Sequence, residues 1–115
     1  MAVTHVMTTN LKQPLTPKQI RQLNCFVDLA DSCDNATLKT RVNDDGNVFY
    51  TITSDRLQII VEVNPAKLLK HAKAVVLTVW RVETTDNGTP SVDCVLYKET
   101  YYLNALMLVE QYLNS

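Results

Sequence analysis

The placement of glycine is the strongest constraint on what this chain can fold into. Glycine occurs only twice in 115 residues: Gly46 lies in the segment NDDGN, and Gly88 lies in DNG. Each turn-like segment separates two stretches in which apolar and polar residues alternate. A tight hairpin turn needs a residue with positive φ, and alternation is the period of a half-buried strand, so both glycines predict β-hairpins. Because both glycines are used in turns, none is left for a phosphate-binding loop.

The first element predicted from local signals is a helix that begins after Thr16. Thr16 is a favourable N-cap, Pro17 suits the first helical position, and Gln19 is placed to complete a capping box. A period of 3.6 residues then predicts an apolar stripe that faces the core. The stripe comprises Ile20, Leu23, Phe26, Val27 and Ala30. The helix is predicted to end between residues 31 and 34.

From that point the period changes from 3.6 to 2, which predicts strands near residues 38–42, 48–53, 57–63, 74–82 and 92–102. In the last strand, Cys94 is assigned to the core face. Asn64-Pro65 predicts a short helix that continues to about Ala72. Asn104 is predicted to cap a final helix that continues through Leu113.

These elements predict one α+β domain over residues 16–115. Its sheet has five or six mostly antiparallel strands, with an N-terminal helix, a short mid-chain helix and a C-terminal helix. Residues 1–15 are interpreted as a tail or an edge strand, with Val3, His5 and Met7 on one side of an alternation. The length of the chain allows one hydrophobic core.

Composition argues against several classes of function. The formal net charge of −1 is unlike that of a general nucleic-acid binder. No apolar stretch is long enough to span a membrane and no signal peptide is evident, so we expect a soluble, cytoplasmic protein. Three cysteines without Cys-x-x-Cys spacing indicate free thiols. No catalytic constellation, metal site or cofactor is predicted, and Asp44-Asp45 is interpreted as turn chemistry.

Charge is distributed unevenly along the chain. Residues 1–35 balance three basic against three acidic side chains. Residues 36–74 carry six basic and four acidic side chains, a net of +2, and residues 75–115 carry two basic and five acidic ones, a net of −3. The asymmetry is interpreted as two differently solvated faces, with the orientation of a charged partner as the alternative.

Lys67, Lys70 and Lys73 form an electrostatic patch on one side of the predicted short helix, with His71 beside them. A solvated basic face is the favoured interpretation. The alternative is docking onto an acidic partner or onto a nucleic-acid backbone.

A surplus of apolar residues is the second suggestive feature. Trp80 lies in a strand that is apolar on both faces, and Met107 and Leu108 lie outside the core-facing stripe of the last helix. Either helices cover both faces of the sheet, or a partner covers one of them, most simply a second copy of the chain. Trp80, Met107 and Leu108 are therefore the predicted protein interface.

The sequence thus predicts a small non-catalytic accessory or adaptor protein that acts through protein–protein contacts as a homodimer. Two alternatives remain. One is a ligand-binding domain or enzyme with a pocket between sheet and helix, lined by Tyr50, Tyr97 or Tyr101. The other is a nucleic-acid accessory protein that uses the three lysines. Binding of nucleic acid is not favoured, and no membrane partner is expected.

Overall fold

The computed structural model describes residues 14–115, and the predicted tail or edge strand lies almost entirely outside this range. The first helix, α1, spans Pro17–Asp31. Both capping-box bonds are present: the Gln19 backbone N–H donates to Thr16 Oγ1 at 3.2 Å, and the Thr16 N–H donates to Gln19 Oε1 at 2.8 Å. The predicted start of α1 is confirmed. It could be predicted because the hydrogen bonds that fix it join residues only three positions apart.

The core-facing side of α1 differs from the predicted stripe at one position. Ile20 is 38% exposed, and Gln19 is buried in its place. The Gln19 side chain donates from Nε2 to the Pro65 carbonyl oxygen at 2.9 Å. This bond ties α1 to the segment after the third strand, and it satisfies the amide that burial would otherwise leave unpaired.

The sheet has five strands in the order in which they occur along the chain, and each pairs antiparallel with the next. Both glycines adopt positive φ, Gly46 at 83° and Gly88 at 77°, which confirms the two predicted hairpins. No sixth strand occurs within residues 14–115. The strands are β1 Thr37–Val42, β2 Val48–Thr53, β3 Leu57–Val63, β4 Val75–Thr84 and β5 Pro90–Thr100.

Both helices pack on the same face of the sheet. The second helix, α2, spans Tyr102–Leu113, and its Ala105 and Val109 share one buried core with Leu23 and Phe26 of α1. Alternate residues of β2, β3 and β4 complete that core. Of the two alternatives for the surplus of apolar residues, helices on both faces of the sheet is therefore not the one found in the described part of the chain.

The predicted mid-chain helix is a single 3₁₀ turn, Pro65–Lys67, followed by further turns. Its hydrogen bonds close over three residues, as from the Leu68 N–H to the Pro65 carbonyl at 3.1 Å. Leu68 is buried and Leu69 is 48% exposed, so the segment presents one apolar anchor and not a helical face. A segment this short cannot sustain an α-helix by itself.

The start of α2 also differs from the prediction. The N-cap is Tyr101, and Asn104 lies inside the first turn, where its Nδ2 donates to Thr100 Oγ1 at 2.6 Å. Thr100 is the last residue of β5, so α2 follows the sheet directly. Asn104 therefore stabilises the junction between β5 and α2 and does not cap the helix.

A β-bulge in β5 changes which residues face the core. Val79 pairs with Leu96 and Trp80 pairs with Cys94, so Val95 is the additional residue. The bulge shifts the alternation by one position. Cys94, predicted to lie in the core, is exposed and shares a face with Trp80.

Three aromatic rings form the centre of the core. Phe26 stacks on Tyr50 with ring centroids 5.9 Å apart and meets Tyr102 edge-on at 5.8 Å. The Tyr102 hydroxyl donates to the Gln22 carbonyl at 2.8 Å. The Tyr50 hydroxyl is fully buried and has no hydrogen-bond partner among the described residues. An unpaired buried hydroxyl costs stability, whereas a paired one does not.

The two tyrosines therefore predict opposite responses to loss of the hydroxyl. Tyr50→Phe removes an unpaired polar atom, and we expect it to leave the free energy of unfolding unchanged or to raise it by about 1 kcal/mol. Tyr102→Phe removes a hydrogen bond, and we expect a loss of about 1 kcal/mol. Urea unfolding of the two variants measures this difference. Equal losses would show that the Tyr50 hydroxyl is paired.

Stability is also expected to depend on alkaline pH. Burial raises the pKa of Tyr50 above the ordinary 10.0, and burial with the neighbouring Cys25 raises the pKa of Tyr102. The unfolded chain therefore ionises these groups at lower pH than the folded one. Their contribution is complete below about pH 10 and is lost as the pH rises further. Urea unfolding across that pH range measures the loss, and a slope unaltered by Tyr50→Phe would contradict it for Tyr50.

Candidate interaction surface

The face of the sheet turned away from α1 and α2 is the largest surface that these helices leave uncovered, and we call it the open face. Cross-strand pairing places its residues in rows that cross all five strands. The row nearest the Gly46 turn is Arg41, Phe49, Glu62, Val76 and Glu99. The next is Lys39, Thr51, Ile60, Thr78 and Tyr97, and the third is Thr37, Thr53, Gln58, Trp80 and Cys94.

Four apolar side chains lie in the middle of the open face, among threonines, Gln58 and Glu62. Phe49, Ile60, Val76 and Trp80 are half-buried, and Tyr97 is 74% exposed. Single exposed apolar residues are ordinary, but several on one uncovered sheet face indicate a candidate interaction surface. Phe49 and Ile60 are apolar residues at positions where the alternation of their strands predicts polar ones. This departure from the alternation is the sequence signal that would have identified them.

The apolar surface continues onto a two-stranded hairpin arm, residues 82–92. β4 and β5 extend past the last β3–β4 pair, Leu57 with Arg81, and continue to pair with each other to Thr84 and Pro90. At the base of the arm the Val82 N–H also donates to the Arg56 carbonyl oxygen at 2.8 Å. Val82 is 37% exposed and Val92 is 56% exposed, and the two are cross-strand partners on the side of Trp80. The arm therefore lengthens the open face along the strand direction.

Charge on the open face changes sign from one edge to the other. Lys39 and Arg41 lie on β1, and the Arg41 guanidinium sits 4.4 Å above the Phe49 ring, a cation–π contact. Glu99 lies on β5, at the opposite edge. Glu62 lies on the central strand, where its carboxylate accepts a hydrogen bond from Asn47 Nδ2 at 2.9 Å. The open face is therefore basic at its β1 edge and acidic at its β5 edge.

The two edges of the sheet are poorly suited to strand addition. β1 has only six residues and carries Lys39 near its middle. β5 begins at Pro90, which lacks an N–H donor, and contains the Val95 bulge. Charged residues, proline and bulges are the devices by which natural sheets block edge pairing. Association by strand pairing at either edge is therefore disfavoured.

The predicted interface residues do not form one surface. Trp80 lies on the open face, whereas Met107 and Leu108 lie on α2, on the other side of the sheet. Met107 is 58% exposed, and Leu108 is half-buried against the core. Leu103, one turn before Met107, is 73% exposed and was not predicted, because the helix start was placed at Asn104.

Only two of the three lysines predicted to form a patch lie in the same groove. Lys67, Lys70 and Lys73 are all exposed. Lys67 and Lys70 line a groove of about 530 Å³ together with His71 and Tyr101, and Lys73 is not among its lining residues. Because the segment is a series of turns and not a helix, the three lysines do not share a helical face.

The tyrosines proposed to line a ligand pocket lie in three separate places. Tyr50 is fully buried in the core, Tyr97 projects from the open face, and Tyr101 is 49% exposed at the start of α2. Within residues 14–115, no group of three His, Cys, Asp or Glu side chains is arranged to hold a metal ion. The free thiols Cys25 and Cys33 are half-buried.

Comparison of the chain with protein-family models, with curated proteins and with solved structures finds no match. In the part of the chain that the structure describes, neither helix has the length and apolar character that crossing a membrane requires. The function is therefore argued from the surfaces themselves.

Proposed function

We propose that this protein is a non-catalytic accessory or adaptor protein that works as a homodimer, with the open faces of two copies packed together. The observation that carries the proposal is the group of apolar side chains on the open face, Phe49, Ile60, Val76 and Trp80, which α1 and α2 leave uncovered. Packing two such sheets face to face forms a β-sandwich, a common way to bury a sheet face.

The size of the open face supports a second copy as its occupant. Five strands spaced about 4.8 Å apart, with the longer strands about 30 Å in length, give a face on the order of 600 Å². A standard protein interface buries about 800 Å² on each partner. The open face and the side chains that project from it approach this value.

The remaining alternatives have less support. Stacking of nucleic-acid bases on Tyr97 is disfavoured, because Glu99 and Glu62 lie on the same face and repel phosphate. A catalytic pocket is disfavoured because Tyr50, Tyr97 and Tyr101 do not converge. We place the protein in the cytoplasm because its cysteines fit a reducing compartment.

The proposal predicts a dimer that depends on the open face. Light scattering of the full chain at high micromolar concentration should give roughly 26 kDa, twice the 13.0 kDa of the chain. We expect Ile60→Lys to shift the mass toward the monomer, because it places a charge among the apolar side chains of the open face. Tyr97→Lys should act in the same direction, and at 74% exposure it leaves the fold intact.

Met107→Lys is the matched control, because Met107 is exposed on the other side of the sheet and its replacement should leave the mass unchanged. The fluorescence of Trp80, the single tryptophan, gives a second measurement. Because the dimer buries Trp80, quenching of this fluorescence by acrylamide should decrease as the protein concentration rises. A wild-type protein that is monomeric at high micromolar concentration would contradict the proposal. Dissociation by Met107→Lys alone would assign the interface to α2.

A further inference from the structure

We infer that the two copies are related by a two-fold axis parallel to β3, so that Arg41 of each copy lies opposite Glu99 of the other. The inference rests on the proposed function and specifies how the two open faces meet. It makes Arg41 and Glu99 the residues that determine the orientation of the dimer.

Only two orientations of a two-fold axis bring the open faces into full register. An axis parallel to the strands places β1 opposite the β5 of the second copy and keeps each row opposite the same row. An axis perpendicular to the strands places β1 opposite β1 and reverses the order of the rows. Both bury the same apolar residues, so apolar contact alone does not choose between them.

Charge distinguishes the two orientations. With the axis parallel to the strands, basic β1 faces acidic β5, and two symmetric Arg41–Glu99 pairs form at the edges of the sandwich. With the perpendicular axis, Lys39 faces Lys39 and Glu99 has no basic partner on β1. Like charges placed opposite each other across an interface are unfavourable, and complementary ones fix its register. Each orientation has one like-charge meeting, Glu62 with Glu62 for the parallel axis and Lys39 with Lys39 for the perpendicular one. The two Arg41–Glu99 pairs form only with the parallel axis, which is therefore the favoured one.

The geometry of sandwiches allows these pairs to form. Packed sheets lie about 10 Å apart, a gap that the side chains of arginine and glutamate span together. Aligned sheets also cross at about 30°, which displaces the edge strands by about 5 Å along their length relative to the centre. Arg41, whose guanidinium carbon lies 4.4 Å from the Phe49 ring centroid, has a long side chain that can follow that displacement.

The apolar residues also find complementary partners in this orientation. Phe49 on β2 lies opposite Val76 on β4, and Thr51 lies opposite Thr78. Ile60 on the central strand lies opposite its own copy near the axis. Gln58 also lies opposite its own copy, and Trp80 lies opposite Thr53. The like-charge meeting is that of Glu62 with its own copy, at the end of the central strand.

A charge-exchange experiment tests the inference. Arg41→Glu and Glu99→Arg should each raise the dissociation constant of the dimer about tenfold, because each replaces two attractive pairs by two repulsive ones. The double variant restores opposite charges with exchanged positions, and we expect its dissociation constant within about threefold of wild type. Sedimentation equilibrium of the full chain measures all four proteins.

Arg81→Glu is a matched control, because Arg81 is an exposed basic strand residue on the helix-covered side of the sheet, and it should leave the dissociation constant unchanged. A wild-type dimer without recovery in the double variant overturns the inferred orientation and leaves the proposed function standing. A wild-type monomer overturns both. The effect of the single variants should also shrink at high salt, because edge charges are screened.

Glu62→Gln gives an independent test with the opposite sign. The parallel axis brings the two Glu62 side chains toward each other, so removing their charge should lower the dissociation constant a few-fold. Glutamine retains the oxygen that accepts from Asn47, so the fold is preserved. With a perpendicular axis, Glu62 would face Gln58 of the other copy, and the substitution would leave the dissociation constant unchanged.

Discussion

Burial of one face of the sheet under α1 and α2 determines what every other surface of this protein can do. The aromatic contacts of Phe26 with Tyr50 and Tyr102 join the first helix, the sheet and the last helix in one core. Once both helices lie on that side, neither covers the other face. The exposure of the apolar residues on the open face is therefore a consequence of topology. This exposure is the reason for proposing a partner.

The features that could be predicted from the sequence are those fixed by local chemistry. The Thr16 capping box and the turns at Gly46 and Gly88 depend on residues within a few positions of one another. Their signals are complete in the sequence. The strand alternation of β2 and β3 was also predicted correctly, since one buried face imposes a period of two.

The features that were missed depend on contacts between distant residues. Gln19 is buried because the Pro65 carbonyl, 46 positions away, accepts its hydrogen bond. The Val95 bulge is visible only in the pairing of β5 with β4, and it moved Cys94 from the predicted core to the surface. The candidate site was predicted in part: Trp80 was identified, but its neighbours across the strands were not, because register is not a local property.

The strand order places the charged residues of the open face at its opposite edges. In a meander, position along the chain becomes position across the sheet, so Lys39 and Arg41 of β1 lie at one edge and Glu99 of β5 lies at the other. A face that is basic at one edge and acidic at the other is complementary to itself only when the edges are exchanged. A two-fold axis along the strands makes that exchange, whereas strands connected in a different order would have scattered the same charges.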